Sequence, residues 1–106
     1  MAFEMLEPGV WQILPTPFGG GDLSVDHASL RRVVEHAQAV GVTGVVALGV
    51  LGEAARLDSA ERRAVLRTVV EAAGSMPVVA GISALATAPA IEQAREAGAA
   101  GARAAM

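Results

Sequence analysis

The run Gly49-Val50-Leu51-Gly52-Glu53 stands directly behind an apolar segment, Val45-Val46-Ala47-Leu48. A glycine-framed loop after a buried strand can offer free backbone N–H groups to an anion without help from any side chain. The carboxylate of Glu53 can act there as a general acid or base, or serve the turn by accepting backbone N–H bonds. The spacing lacks the third glycine of a dinucleotide-binding turn, and no lysine follows as in a P-loop, so nucleotide binding is not indicated. His27 and His36 lie nine residues apart, which is not a metal-ligand pair on one helix turn. With cysteine also absent, thiolate ligands are excluded and no metal site is expected. The chain contains neither lysine nor tyrosine, and its eight cations are all arginines. No side chain here can therefore form a Schiff base.

Composition narrows the setting. Of the 106 residues, 53% are hydrophobic and 18% charged, as expected of a folded domain with a buried core. The formal charge of −3 leaves no basic footprint for nucleic acid. Absence of cysteine fits a reducing compartment, so a cytoplasmic protein is expected. Residues 1–8 carry Glu4 and Glu7 and lack the basic-then-apolar order of a signal peptide. Residues 72–91 hold no charge, but Gly74, Pro77, Gly81 and Pro89 punctuate them as a strand and a helix start, and no membrane span is expected. The pairs Arg31-Arg32 and Arg62-Arg63 are expected on solvated outer helix faces, as are both histidines, and Trp11 in packing.

The loop must be positioned by alternating strands and helices. Residues 10–14 read as a short buried strand ended by Pro15-Thr16-Pro17, and Gly19-Gly20-Gly21-Asp22 as a turn. Asp26 caps a helix whose apolar face is Leu30, Val33, Val34, Ala37 and Val40, closed by Gly41. Val45 to Leu48 form a second strand, apolar throughout as a strand covered on both faces should be. Asp58 and Glu61 make a capping box for a helix that buries Val65, Leu66, Val69, Val70 and Ala73 and ends at Gly74. Pro77 opens the strand Val78-Val79-Ala80. Thr87 caps a third helix with inner face Ala90, Ile91, Ala94 and Ala97, closed by Gly98. Residues 101–106 begin a fourth strand. This order requires a parallel sheet with right-handed crossovers, in either an open doubly wound sheet or part of a barrel. A complete barrel has eight strands in about 250 residues, more than this chain can supply.

Four segments together resemble the dihydrodipicolinate synthase and N-acetylneuraminate lyase family. These are Leu14-Pro15-Thr16-Pro17-Phe18, the helix start from Asp26 to Leu30, the loop from Gly49 to Glu53 with Leu57 and Glu61-Arg62, and Pro77-Val78-Val79-Ala80-Gly81 with Thr87, Ala90 and Ile91. The resemblance runs from Gly9 onward. It implies the N-terminal portion of a (β/α)8 TIM barrel, about three βα units and the start of a fourth strand, with residues 1–106 as one incomplete barrel domain. It also implies a lyase or aldolase that joins a 2-keto acid such as pyruvate to a lysine as a Schiff base, with no cofactor, in a homo-oligomer. The lysine and a proton-transferring tyrosine belong to later parts of such barrels, so the chain as given is expected to be inactive alone. The substrate-binding positions implied are Gly49, Val50, Leu51 and Gly52, through their backbone, with Thr16 beside them. Glu53 is implied to bond neighbouring loops. Val50 and Leu51 replace the family's paired threonines and Ala54 a following serine, which points away from dihydrodipicolinate synthesis and toward a divergent lyase. The alternative is a non-catalytic half-barrel that self-associates.

Overall fold

The computed structural model describes residues 6–106; most of the leader reading at residues 1–8 therefore lies outside the described residues. In chain order the elements are β1 (Trp11–Ile13), β2 (Phe18–Gly19), β3 (Ser24–Val25), α1 (His27–Val40), β4 (Gly44–Ala47), a short 3-10 turn (Ala54–Arg56), α2 (Ser59–Ala73), β5 (Val78–Ala80), α3 (Thr87–Ala100) and β6 (Ala104–Ala105). Strands β1, β4, β5 and β6 form one parallel sheet in that spatial order. Strand order thus follows chain order with a helix in each crossover, the arrangement of successive βα units in the N-terminal part of a TIM barrel.

Register explains which side chains meet the helices. Ile13, Val46 and Val79 sit opposite one another across three strands and fall outside the cluster packed under the helices. Their neighbours Leu14, Val45, Ala47, Val78 and Ala80 belong to that cluster, because successive side chains of a strand point to opposite faces. From the helices come Leu30, Val34 and Ala37 of α1, and Val65, Leu66, Val69 and Ala73 of α2. Fully burying each Leu or Val contributes about 1.5–3 kcal/mol. The concave row Ile13, Val46, Val79 is the face that a closed barrel turns inward.

Local signals set the helix ends. The Asp26 carboxylate accepts from the Ser29 N–H at 3.0 Å and the Ser29 hydroxyl at 2.7 Å. Gly41 takes the left-handed conformation that closes α1, with φ 89°. Asp58 accepts from the Glu61 N–H at 2.8 Å, and Glu61 accepts from the Asp58 N–H at 3.0 Å, completing the box.

Several expectations need correction. The turn after Phe18 closes a small antiparallel hairpin, β2 with β3, too short to register as strands in the sequence. Val40 is exposed at the last turn of α1, beyond the reach of the sheet. Leu48 leaves the strand with φ 61°. Thr87 is the first residue inside α3 rather than its cap; Ala86 holds that place without a side-chain bond. The same helix runs past Gly98 to Ala100 and ends at left-handed Gly101. Of its expected inner face only Ala97 is buried, since alanines are too short to fill the space and α3 packs mainly against α2 and the two-residue strand β6. No helix among the described residues is long and apolar enough to cross a membrane.

Candidate functional site

The loop between β4 and α2 lies at the C-terminal ends of the strands, where parallel β/α folds gather binding groups. Its geometry is held by a turn in which the Glu53 N–H donates to the Val50 carbonyl at 3.0 Å. On either side stands a non-glycine residue in the left-handed region, Leu48 with φ 61° and Glu53 with φ 54°. Such a conformation costs about 1–2 kcal/mol per residue, and it collects where the backbone must be aimed. Here it turns the chain off the strand and back onto α2.

Inside that turn the side chains and the backbone have different surroundings. Val50 is 98% exposed and Leu51 57% exposed. Gly52 is buried: a Cβ there would stand 3.2 Å from the Leu14 carbonyl oxygen and 3.3 Å from the Thr16 hydroxyl. The loop therefore presses its second glycine onto the end of β1, with Thr16, only 5% exposed, beneath it. Among the described residues no carbonyl or side chain accepts from the N–H of Leu51 or of Gly52. A buried amide without an acceptor is uncommon and favours any acceptor that can enter.

A cleft of about 580 Å³ opens on the other side of the loop, walled by Gly49, Val50, Glu53, Ile82, Ser83 and Met106 among others. Gly49 and Val50 border it, whereas Leu51, Gly52 and Thr16 do not. The structure thus divides the five expected binding positions between the cleft wall and the seat above β1. The Glu53 side chain is half-exposed and pairs with Arg56 at 3.6 Å, so it forms no loop-to-loop bond of the kind expected. An exposed pair at that distance contributes about 0–1 kcal/mol.

The far wall of the cleft is fixed by Arg62, expected on a solvated face, and by Gln93, which the sequence did not single out. Arg62 is 7% exposed, not on a solvated face. Its guanidinium donates to the Gly81 carbonyl and to the Ser83 hydroxyl, both at 3.0 Å. Burial pushes its pKa down, and the charge of Glu96 offsets that in part. From α3, the Gln93 side-chain oxygen accepts from the N–H groups of Ser83 and Ala84 at 3.0 and 3.1 Å. The loop after β5 is therefore tied to α2 by an arginine and to α3 by a glutamine. Nothing local in sequence reveals this, because the partners are 9 to 21 residues apart.

His27 also departs from the solvated position expected of it. Its Nδ1 lies 2.8 Å from the Thr68 hydroxyl and joins α1 to α2, while His36 is exposed as expected. Trp11 is half-buried with its ring against Gly44, outside the main core cluster, and its indole N–H donates to the Glu7 carbonyl at 3.1 Å. No group of three potential metal ligands occurs among the described residues.

Comparison with known proteins agrees with this geometry. The model of the Dihydrodipicolinate synthetase family matches residues 7–106. The 4-hydroxy-tetrahydrodipicolinate synthase of Sorangium cellulosum is 44% identical over 99 residues, covering 92% of this chain and 33% of the relative. That of Methanothrix thermoacetophila is 43% identical over 98 residues, with 92% and 32% covered. Among solved structures, dihydrodipicolinate synthase from Rhodopseudomonas palustris superposes with a TM-score of 0.90 at 37% identity, over 99% of this chain and 35% of its own. The chloride-inhibited enzyme of Acinetobacter baumannii, solved in complex with pyruvate, gives 0.87 at 35% identity over 92% and 33%. The chain spans about a third of the length of these relatives. With a family model matched over nearly its whole length and a backbone that superposes on solved members, this chain belongs to the dihydrodipicolinate synthetase family.

Proposed function

We propose that these residues form the N-terminal third of the substrate rim of a lyase acting on a 2-keto acid such as pyruvate. In this reading the amides of Leu51 and Gly52 hold the keto acid's carboxylate, with Thr16 beneath them and Gly49 and Val50 shaping the adjoining cleft. The observation that carries it is the pair of free N–H groups, one of them buried, in a loop held by two left-handed residues at the strand ends. A charged acceptor gains about 1.5–3 kcal/mol from such a bond. The Schiff-base amine must come from outside these 106 residues, since none of them carries a side-chain amine. Absence of cysteine fits a cytoplasmic setting.

Val50 and Leu51 lack the hydroxyls that paired threonines would supply. Losing two such contacts weakens keto-acid binding by about 10² or more, at 1.4 kcal/mol per tenfold. The test is a graft of residues 7–106 onto the remaining two thirds of the Rhodopseudomonas palustris synthase. Borohydride reduction with pyruvate should trap one adduct, located by mass spectrometry on a lysine of the grafted partner. A graft that melts cooperatively yet traps nothing would count against the reading. Val50→Thr with Leu51→Thr should tighten pyruvate binding; no change would show that the hydroxyls are dispensable.

A further inference from the structure

A second concavity lies outside the rim. Helices α2 and α3 leave a groove of about 400 Å³ between them, lined by Arg62, Arg63, Leu66, Arg67, Glu96 and Ala97 among others. It exists because α3 offers α2 mainly alanines at the contact, which cannot fill the space opposite Leu66. Arg62 with Leu66, and Arg63 with Arg67, stand four residues apart along α2, so the four form two neighbouring rows on it. Glu96 is the one acid in the lining, and it pairs with Arg63 at 3.5 Å. Arg67 has no ion pair among the described residues.

Arg62 makes the groove more than a surface feature. As a residue Arg62 is only 7% exposed, yet both acceptors of its guanidinium are neutral: a backbone carbonyl and a hydroxyl. Among the described residues no carboxylate lies within ion-pair distance of it. Buried charges in proteins are ordinarily paired; here the charge of Glu96, outside ion-pair distance, offsets the desolvation of Arg62 only in part. Guanidinium groups also match carboxylates in a planar, two-point geometry. The volume falls within the range of small-molecule sites, which pair an apolar lining with a few charged groups.

We infer that the α2–α3 groove binds a small organic carboxylate, its anionic head on the Arg62–Arg67 side and its apolar tail against Leu66 and Ala97. The groove borders the rim cleft, sharing Leu48 with it, but anion binding between the helices does not depend on the keto-acid reading. Hexanoate is the probe, followed by calorimetry on the whole chain at low salt. Hexanoate should bind saturably at one per chain, acetate more weakly for want of a tail, and hexylammonium not at all. Arg67→Ala, at an exposed position that leaves the fold intact, should weaken hexanoate about three- to tenfold. Glu96→Gln should strengthen it, by removing the acid that competes for Arg63. Arg62→Met should weaken it tenfold or more; should that variant fail to fold, Arg67→Ala and Glu96→Gln decide the matter. No saturable heat with hexanoate would overturn the inference. So would equal binding of hexylammonium, or hexanoate binding indifferent to Arg67→Ala and Glu96→Gln.

Discussion

Replacing Gly81 with alanine tests how closely the two rim loops approach each other. Gly81 follows β5, and its N–H donates to the Ala47 carbonyl at 2.8 Å. A Cβ there would collide with the Leu48 carbonyl oxygen, stand 2.6 Å from the Leu48 carbonyl carbon and 3.1 Å from the Gly49 N. All three atoms are backbone, so no side chain can rotate away, and Leu48 already occupies a left-handed conformation. Forcing extra volume into a packed site costs about 1–3 kcal/mol. For a domain of this size each kcal/mol moves the midpoint by about 4–8 °C, so Gly81→Ala should lower Tm by about 4–24 °C. Gly98→Ala is the matched control. Nothing lies within 4 Å of a Cβ at that position inside α3, and the change should stabilise by about 0.4–1 kcal/mol. Thermal melts followed at 222 nm, with urea titrations for the free energies, measure both. If Gly81→Ala proved as stable as the parent, the close contact between the loops would be wrong.

Asp58→Ala removes the side-chain acceptor of the capping box, leaving the Glu61 N–H without its partner, and should cost about 1 kcal/mol, read from the urea midpoint. The Asp26 carboxyl is held below its usual range by the Ser29 hydroxyl and then the Ser29 N–H. Its contribution is thus complete above the unfolded aspartate pKa and is lost as pH falls through the lower folded value. Stability should decline over that acid window, and Asp26→Asn should flatten the decline; an unchanged acid limb would remove Asp26 from the account. Strands β1 and β6 are the sheet's edges among the described residues, and open edges invite pairing. The chain alone should therefore sediment as oligomers, and a compact monomer would refute this.

What could be read in the sequence was local. Asp26, Gly41 and the Asp58–Glu61 box act within four residues of the groups they satisfy, so their types and spacing suffice. The apolar strands Val45-Val46-Ala47 and Val78-Val79-Ala80 likewise announce burial on both faces. Periodicity did less well for α3, where an alanine-rich face looks like a core stripe but leaves Ile91 and Ala94 exposed. Arg62 was misplaced because charge suggests solvent, and its acceptors, Gly81 and Ser83, come from another loop. The His27–Thr68 contact spans 41 residues and has no sequence signal at all. At the loop itself, residue types located the binding turn. They did not show that Gly52 would be seated over Thr16 while Val50 faced the cleft.

The central claim is that backbone amides of the rim loop hold the keto acid. It is tested most directly in the grafted protein described above, labelled with 15N-leucine and 15N-glycine and titrated with pyruvate. The account predicts that the Leu51 and Gly52 amide signals move together and saturate with one midpoint, matching the concentration dependence of adduct trapping. Pyruvate adduct formation with both signals unmoved would contradict it.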